Sequence, residues 1–173
     1  MNKQKIINSI RTVPDFPKKG IQFKDITTLL QEPELFSYTI DIFYEEFKKS
    51  NIDTVVGIES RGFIFAAPLA LRLNCGMVLA RKPGKLPSKI ISEEYSLEYG
   101  EDSMEMHVDS INVKSNVLIV DDLLATGGTA KSVCNLVAKL GGKIHAAAFL
   151  IVLKDLNGEE ILPVDQIFSL LEF

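Results

Sequence analysis

Residues 117–129 read VLIVDDLLATGGT. Val117, Leu118, Ile119 and Val120 form a short apolar run rich in β-branched side chains, the pattern of a buried strand. Two adjacent carboxylates follow, Asp121 and Asp122. Leu123 and Leu124 lead into a small, hydroxyl-bearing, glycine-rich turn, Ala125-Thr126-Gly127-Gly128-Thr129. A helical period starts at once, with Val133, Leu136, Val137 and Leu140 on one face, and Gly141-Gly142 stops it.

This order of strand, acid pair, tight turn and helix has a direct physical reading. Gly127 and Gly128 let the backbone turn sharply and come close to a ligand. The N–H groups of the turn then point outward from the positive end of a helix, which favours an anion such as a monophosphate. Thr126 and Thr129 add hydroxyl donors. Asp121 and Asp122 repel phosphate and need another partner. They lie at the carboxyl end of a strand, where open α/β sheets hold their ligands. There they suit a ribose diol, or a Mg²⁺ that keeps most of its waters. A sugar phosphate satisfies both halves. The competing reading is a plain connecting turn with solvated acids. The unit is neither a P-loop, since no Lys follows the glycines, nor G-x-G-x-x-G.

The chain has 173 residues, the span of one domain with room for a substantial core. Its net charge of −4 argues against a general binder of nucleic acid or acidic membranes. The N-terminus, MNKQKIINSI, has no apolar stretch of signal-peptide type, and no apolar run has the length of a bilayer span. Cys75 and Cys134 lack metal-ligand spacing and read as buried thiols rather than a bridge. A cytoplasmic protein is expected.

In chain order, residues 2–12 read as a short helix with Ile6, Ile7 and Ile10 on one face. Pro14 and Pro17 then keep the chain extended, and 21–26 carry apolar side chains at alternate positions. A helix opens at Pro33 and runs to about 49, with Phe36, Ile40, Phe43 and Phe47 as a core stripe. Residues 54–58, TVVGI, read as a buried strand. Glu59-Ser60-Arg61-Gly62 follows, then an apolar helix over 63–73. This second strand–turn–helix unit is either a capping turn or a second anion site closed by Arg61. A third strand covers 77–80. Arg81-Lys82-Pro83-Gly84-Lys85 places three cations in five residues, a solvated run or an anion clamp. Two β-like arms, 89–92 and 103–107, flank a long acidic and aromatic connection of the kind that often serves as a lid. Residues 143–153 and 166–173 supply the last strands, with Asn157-Gly158 a tight turn between them. His107 and His145 have no partner at metal spacing and read as structural. Strands alternating with helices give an α/β fold, a mostly parallel sheet flanked by helices.

VLIVDDLLATGGT resembles the phosphoribosyl-pyrophosphate (PRPP) motif of the type I phosphoribosyltransferases, in the form found among those that use adenine. Three further stretches resemble that family in the expected order: FPxxGIxFxDI from Phe16, GIESRGF from Gly57, and SLEYG from Ser96. The resemblance covers nearly the whole chain. It implies a single domain over 1–173, with an N-terminal hood over about 1–30 and a flexible hairpin lid over about 88–110. It implies purine salvage, in which adenine and PRPP give AMP and diphosphate. A 6-oxopurine (xanthine or guanine) phosphoribosyltransferase and a non-catalytic PRPP-sensing regulator are the alternatives.

Residue roles follow by position within the resemblance. Backbone groups near Gln22 and Lys24 would read the adenine edge, while Phe23 stacks on the ring or simply fills core. Leu123 would pack on the opposite face. Ser60, Arg61 and Gly62 would bind diphosphate, with Arg81 and Lys85 near it. Residues 125–129 would hold the 5′-phosphate, and Asp121 and Asp122 the ribose. Glu98 would exchange the proton at adenine N7, with Tyr99 shielding the site; the alternative is a solvated hairpin tip. Mg²⁺ would arrive on PRPP and through water, with no residue ligating it directly. A homodimer is implied, with Arg81 able to reach the neighbouring site.

Overall fold

The computed structural model describes residues 2–96 and 101–173. Five strands form one all-parallel sheet: β3 (Thr54–Ile58), β4 (Gly76–Ala80), β7 (Asn116–Leu124), β8 (Lys143–Val152) and β9 (Ile167–Glu172), in the order β4-β3-β7-β8-β9. β3 carries TVVGI and is buried along its whole length. That is the requirement of a strand covered on both faces, so a continuous apolar run marks it better than alternation does.

Helices cover both faces. On one lie α3 (Pro33–Phe47) and α4 (Gly62–Leu73), where Phe43, Phe47, Phe65 and Leu69 pack on Leu118 and Val120 of β7. On the other lies α5 (Gly128–Lys139), where Val133, Leu136 and Val137 pack on Val117 and Ile119. The period of two along β7 thus divides its side chains between two apolar layers. Leu140 caps α5, and Gly141 at φ 84° ends it as expected.

Two small antiparallel pairs stand outside the main sheet. At the N-terminus, α1 (Lys3–Ser9) is followed by β1 (Arg11–Pro14), which pairs with β2 (Gln22–Asp25); α2 (Thr27–Leu30) comes next. The helix expected over 2–12 is therefore shorter, because Arg11 and Thr12 are taken into the ladder with Asp25 and Lys24. The second pair is β5 (Ile90–Ser96) with β6 (Glu101–His107). These arms reach further than the 89–92 and 103–107 of the sequence pattern. Glu93, placed in an irregular connection by its charge, is a strand residue: its carboxylate accepts from Asn135 Nδ2 (2.7 Å) and pairs with Lys139, fastening the hairpin to α5. The base of the hairpin is held by reciprocal backbone bonds between Arg81 and Glu105, at 2.9 and 2.8 Å.

Three other expectations need correction. β7 runs on through Asp121 and Asp122 to Leu124 instead of ending at Val120, because β8 continues alongside it as far as Val152. Asn157-Gly158 does not turn a hairpin, since β8 and β9 are parallel; two 3₁₀ turns, Lys154–Leu156 and Gly158–Ile161, carry the connection, with Asn157 at φ 50° between them. Cys75 is half-buried rather than enclosed, and Cys134 is fully buried; both are free thiols.

Candidate active site

The site lies where β3 and β7 hand over to α4 and α5. Parallel neighbours end side by side, so the turns that follow them come together. Gly62 opens α4 directly against β7: a Cβ placed there would lie 2.8 Å from Asp121 Oδ1 and 2.8 Å from the Val120 carbonyl oxygen. Only a residue without a side chain allows the 59–62 turn to touch the acid pair.

The turn after β7 forms a cavity of about 220 Å³, lined by Tyr95, Asp121, residues 123–129 and Ala130. That is below the roughly 300–1,000 Å³ of drug-sized ligand sites and suits a phosphorylated pentose. Gly127 is the N-cap of α5 at φ 86°, and no side chain caps the helix. The first N–H groups of a helix have no intrahelical acceptor, so here they are left for a ligand. Ala125, Thr126, Gly127, Gly128 and Thr129, singled out by the sequence, all line this cavity. Tyr95, which no sequence motif singles out, joins them. Its hydroxyl donates to Asp102 Oδ2 at 3.1 Å, and Lys82 Nζ contacts both groups. Nothing local to Tyr95 marks it; only the pairing of β5 with β6 brings Asp102 opposite it.

Asp122 is 3% exposed. Arg61 Nε stands 3.0 Å from Asp122 Oδ2, an ion-pair distance, yet this oxygen accepts no hydrogen bond from the described residues. Asp121 Oδ1 accepts the Asp122 N–H at 2.8 Å. Burial pushes the Asp121 carboxyl well above its ordinary value of 3.8, and the adjacent Asp122 adds to the rise. Burial also raises Asp122, opposed by the Arg61 guanidinium. Two neighbouring acids with one cation, paired to Asp122, form a strained pair, a frequent property of functional sites.

The peptide bond Glu59–Ser60 is cis. Glu59 gathers the cations that follow β4: Arg81 Nε lies 3.2 Å from its Oε2, the Lys82 N–H donates to the same oxygen at 2.9 Å, and Lys85 Nζ contacts Oε1. Burial pushes the Glu59 carboxyl up, but Lys85, the Lys82 N–H and Arg81 together hold it below the ordinary range. The Arg81–Lys85 run is thus docked beside the 59–62 turn, with Arg81 Nη1 also donating to the Lys85 carbonyl oxygen at 3.0 Å. Ser60 is exposed at the mouth of the turn.

Beside these turns lies a second, mostly apolar cavity of about 380 Å³, bordered by Val13, Phe16, Phe23, Asp25, Thr27 and Arg61. Phe16 meets Phe23 edge-on at 5.1 Å, and the Arg61 guanidinium lies 5.2 Å from the Phe23 ring centre. Phe23 is therefore half-buried at a cavity wall, not enclosed in core. Among the described residues β2 pairs only with β1, so one of its backbone edges has no strand partner there. Gln22 is exposed, and the Lys24 side chain turns away to Thr12 Oγ1 (3.1 Å) and to the Phe173 ring (4.1 Å). Leu123 lines the cavity after β7 and is not among the residues that border this one. Glu98 and Tyr99 lie outside the described residues.

The family model for the phosphoribosyl transferase domain matches residues 25–169. An adenine phosphoribosyltransferase of Actinobacillus pleuropneumoniae is 54% identical over all of this chain and 98% of its own length. The crystal structure of adenine phosphoribosyltransferase from Thermoanaerobacter pseudethanolicus superimposes with a TM-score of 0.97 at 46% identity, covering 99% of this chain and 100% of that one. The Saccharomyces cerevisiae adenine phosphoribosyltransferase, complexed with an imino-altritol bisphosphate and adenine, gives 0.93 at 39% identity over 97% of each chain.

Proposed function

The chain belongs to the phosphoribosyltransferase family, and we propose that it transfers the 5-phosphoribosyl group of PRPP to adenine, giving AMP and diphosphate in purine salvage. One observation carries the reading: an uncapped helix N-terminus, a strained acid pair and a cation-fed second turn converge beside an apolar slot. Those four features match a phosphate, a ribose, a diphosphate and a flat base.

In this reading residues 125–129 hold the 5′-phosphate and Asp121 with Asp122 accept from the ribose hydroxyls, which fixes C1 in place. Ser60, Arg61 and Gly62 take the diphosphate, with Arg81 and Lys85 in support. C1 gains positive character as its bond to diphosphate oxygen breaks, as in glycoside transfer. The cations stabilise the departing charge. Adenine enters against Phe23, read by the open backbone edge of β2 near Gln22 and Lys24, and N9 bonds to C1. Glu98 handles the proton at N7 and Tyr99 shields the site, both by resemblance.

Mg²⁺ is part of the same reading. No group of three or more His, Cys, Asp and Glu able to hold a metal occurs among the described residues. The acid pair fits an ion that arrives on PRPP and is met through water, and the undonated Asp122 Oδ2 is the acceptor such a water would satisfy. When bound, the ion supplies further charge neutralisation at the diphosphate. We further read 1–173 as one domain acting as a homodimer in the cytoplasm; two free thiols accord with a reducing compartment.

The test is direct. Protein, Mg²⁺ and PRPP are mixed with each purine base, and AMP is expected from adenine. Product from guanine or hypoxanthine but not adenine overturns the base assignment. No product with any base, despite PRPP binding, indicates a regulator.

A further inference from the structure

We propose that Gly158, far from the motif in sequence, is a positioning residue for the phosphate turn. The proposal rests on the reading that residues 125–129 bind the 5′-phosphate. The two glycines, 127 and 158, meet backbone to backbone. A Cβ added at Gly158 would lie 2.1 Å from the Ala125 carbonyl oxygen and 2.9 Å from the Gly127 nitrogen. A Cβ added at Gly127 would lie 2.5 Å from the Gly158 carbonyl oxygen and 2.9 Å from Ile161 Cγ1. Gly158 is buried, and its φ is outside the left-handed region. Space, not backbone conformation, demands glycine there.

The Gly158–Ile161 turn is therefore the floor on which the phosphate turn rests. That floor is tied down at both ends. The Leu153 N–H donates to the Leu124 carbonyl oxygen (2.9 Å), and the Lys154 N–H to that of Phe173 (2.8 Å). Lys154 pairs with Glu159 (2.7 Å) and Glu172 (3.1 Å), and Leu162 is buried in the core. The turn above it faces a cavity, across which Tyr95 is the one lining residue from outside the 121–130 stretch among the described residues, and Thr126 is exposed. A side chain at 158 thus pushes the turn, and with it the N–H groups that aim at the phosphate.

The test is Gly158→Ala in the full protein. Because the backbone tolerates Ala, the change is steric. The expected result is a KM for PRPP raised about tenfold or more, since a misplacement of an ångström can cost about 100-fold. The KM for adenine should stay within about twofold and kcat be largely kept, as befits lost uniform binding. Calorimetry with ribose 5-phosphate should show the same loss. General destabilisation would move both substrates together and would overturn the proposal. Amide NMR of the parent protein with ribose 5-phosphate separates the two levels. If the 126–129 amides shift but Gly158→Ala binds ribose 5-phosphate like the parent, the floor role is wrong and the reading stands. If those amides do not shift at all, the reading itself fails. Should Gly158→Ala not fold, Ile161→Ala removes the exposed side chain that the same floor presents to Gly127. It is expected to weaken ribose 5-phosphate several-fold, and unchanged affinity there counts against the proposal.

Discussion

Asp121→Asn should make the protein more stable and a worse enzyme. Asp121 is half-buried beside the buried Asp122, which alone is paired with the Arg61 guanidinium, and desolvation together with Asp122 raises the Asp121 carboxyl well above 3.8. Asn keeps an oxygen for the Asp122 N–H, which Asp121 Oδ1 now accepts at 2.8 Å. It removes one of two like charges that, at an effective dielectric near 20, cost on the order of a few kcal/mol at contact. Arg61 already offsets part of this, leaving a gain of about 1–2 kcal/mol. For a chain of this size each kcal/mol is worth about 2–4 °C in Tm. The sign with pH is fixed. A raised carboxyl costs nothing below its unfolded value, and the cost grows as pH climbs from there through the folded one. The Tm gap between variant and parent should be near zero at about pH 4 and widen toward neutrality. PRPP affinity should fall about 10- to 150-fold, the worth of hydrogen bonds to a charged acceptor at about 1.5–3 kcal/mol. Thermal melts across pH and PRPP titrations measure both. A variant that is less stable at pH 8, or a Tm gap that ignores pH, refutes the strained-pair argument. Unchanged PRPP affinity removes Asp121 from the ribose.

Glu98→Gln should lower kcat far more than it changes either KM, because proton transfer belongs to the transition state; steady-state kinetics decide, and a change in KM alone would make Glu98 a binding residue. Phe23→Ala should raise the KM for adenine about tenfold while sparing PRPP, since an aromatic pair contributes about 0.5–1.5 kcal/mol beyond its buried area. In Asp122→Asn, free diphosphate should bind more tightly than in the parent while PRPP binds less tightly, as titration of each ligand would show; parallel changes contradict the exchange of partners argued below. Asp25, held down to about 2 mainly by Arg11 and the Thr27 N–H, contributes stability that is present above its unfolded value and lost as pH falls toward 2. The N-terminal hairpin should accordingly loosen between about pH 4 and 2, visible as loss of amide protection in β2.

The sequence makes some of this visible and hides the rest for identifiable reasons. TVVGI and VLIV are legible because strands covered on both faces must be apolar throughout. The glycine-rich turn is legible because its ligand-facing chemistry is contiguous. Arg61, Asp121 and Asp122 stand out as charged residues directly after an apolar run, although β7 in fact continues through the two acids to Leu124. The partners of these groups are not legible. Glu59 holds Arg81 and Lys85 across 22 and 26 residues, and Lys82 finds Asp102 across 20. No local pattern encodes such pairs. Polar arms such as Glu93-Glu94 read as loop until pairing with Met104 and Ser103 makes them strand. Gly158 reads as an ordinary turn glycine, because only the folded chain shows what stands above it.

These hidden partners explain how an acidic protein can receive a strongly anionic substrate without leaving cations bare. Arg61 is committed to Asp122, Arg81 and Lys85 to Glu59, and Lys82 to Asp102. These cations are only partly exposed, and internal carboxylates pair with them in the ligand-free protein. Binding is then an exchange. In the proposed reading, an Arg61 that turns toward a diphosphate leaves Asp122, 3% exposed, without its cation and in need of the ribose hydroxyls or a hydrated ion in return. A ligand that brings both ends satisfies every group it disturbs. Free diphosphate satisfies only one side and leaves a buried acid uncompensated. Under the proposed reading, selectivity for the intact sugar diphosphate is therefore expected to come as much from the pairs that must be broken as from the contacts that are made.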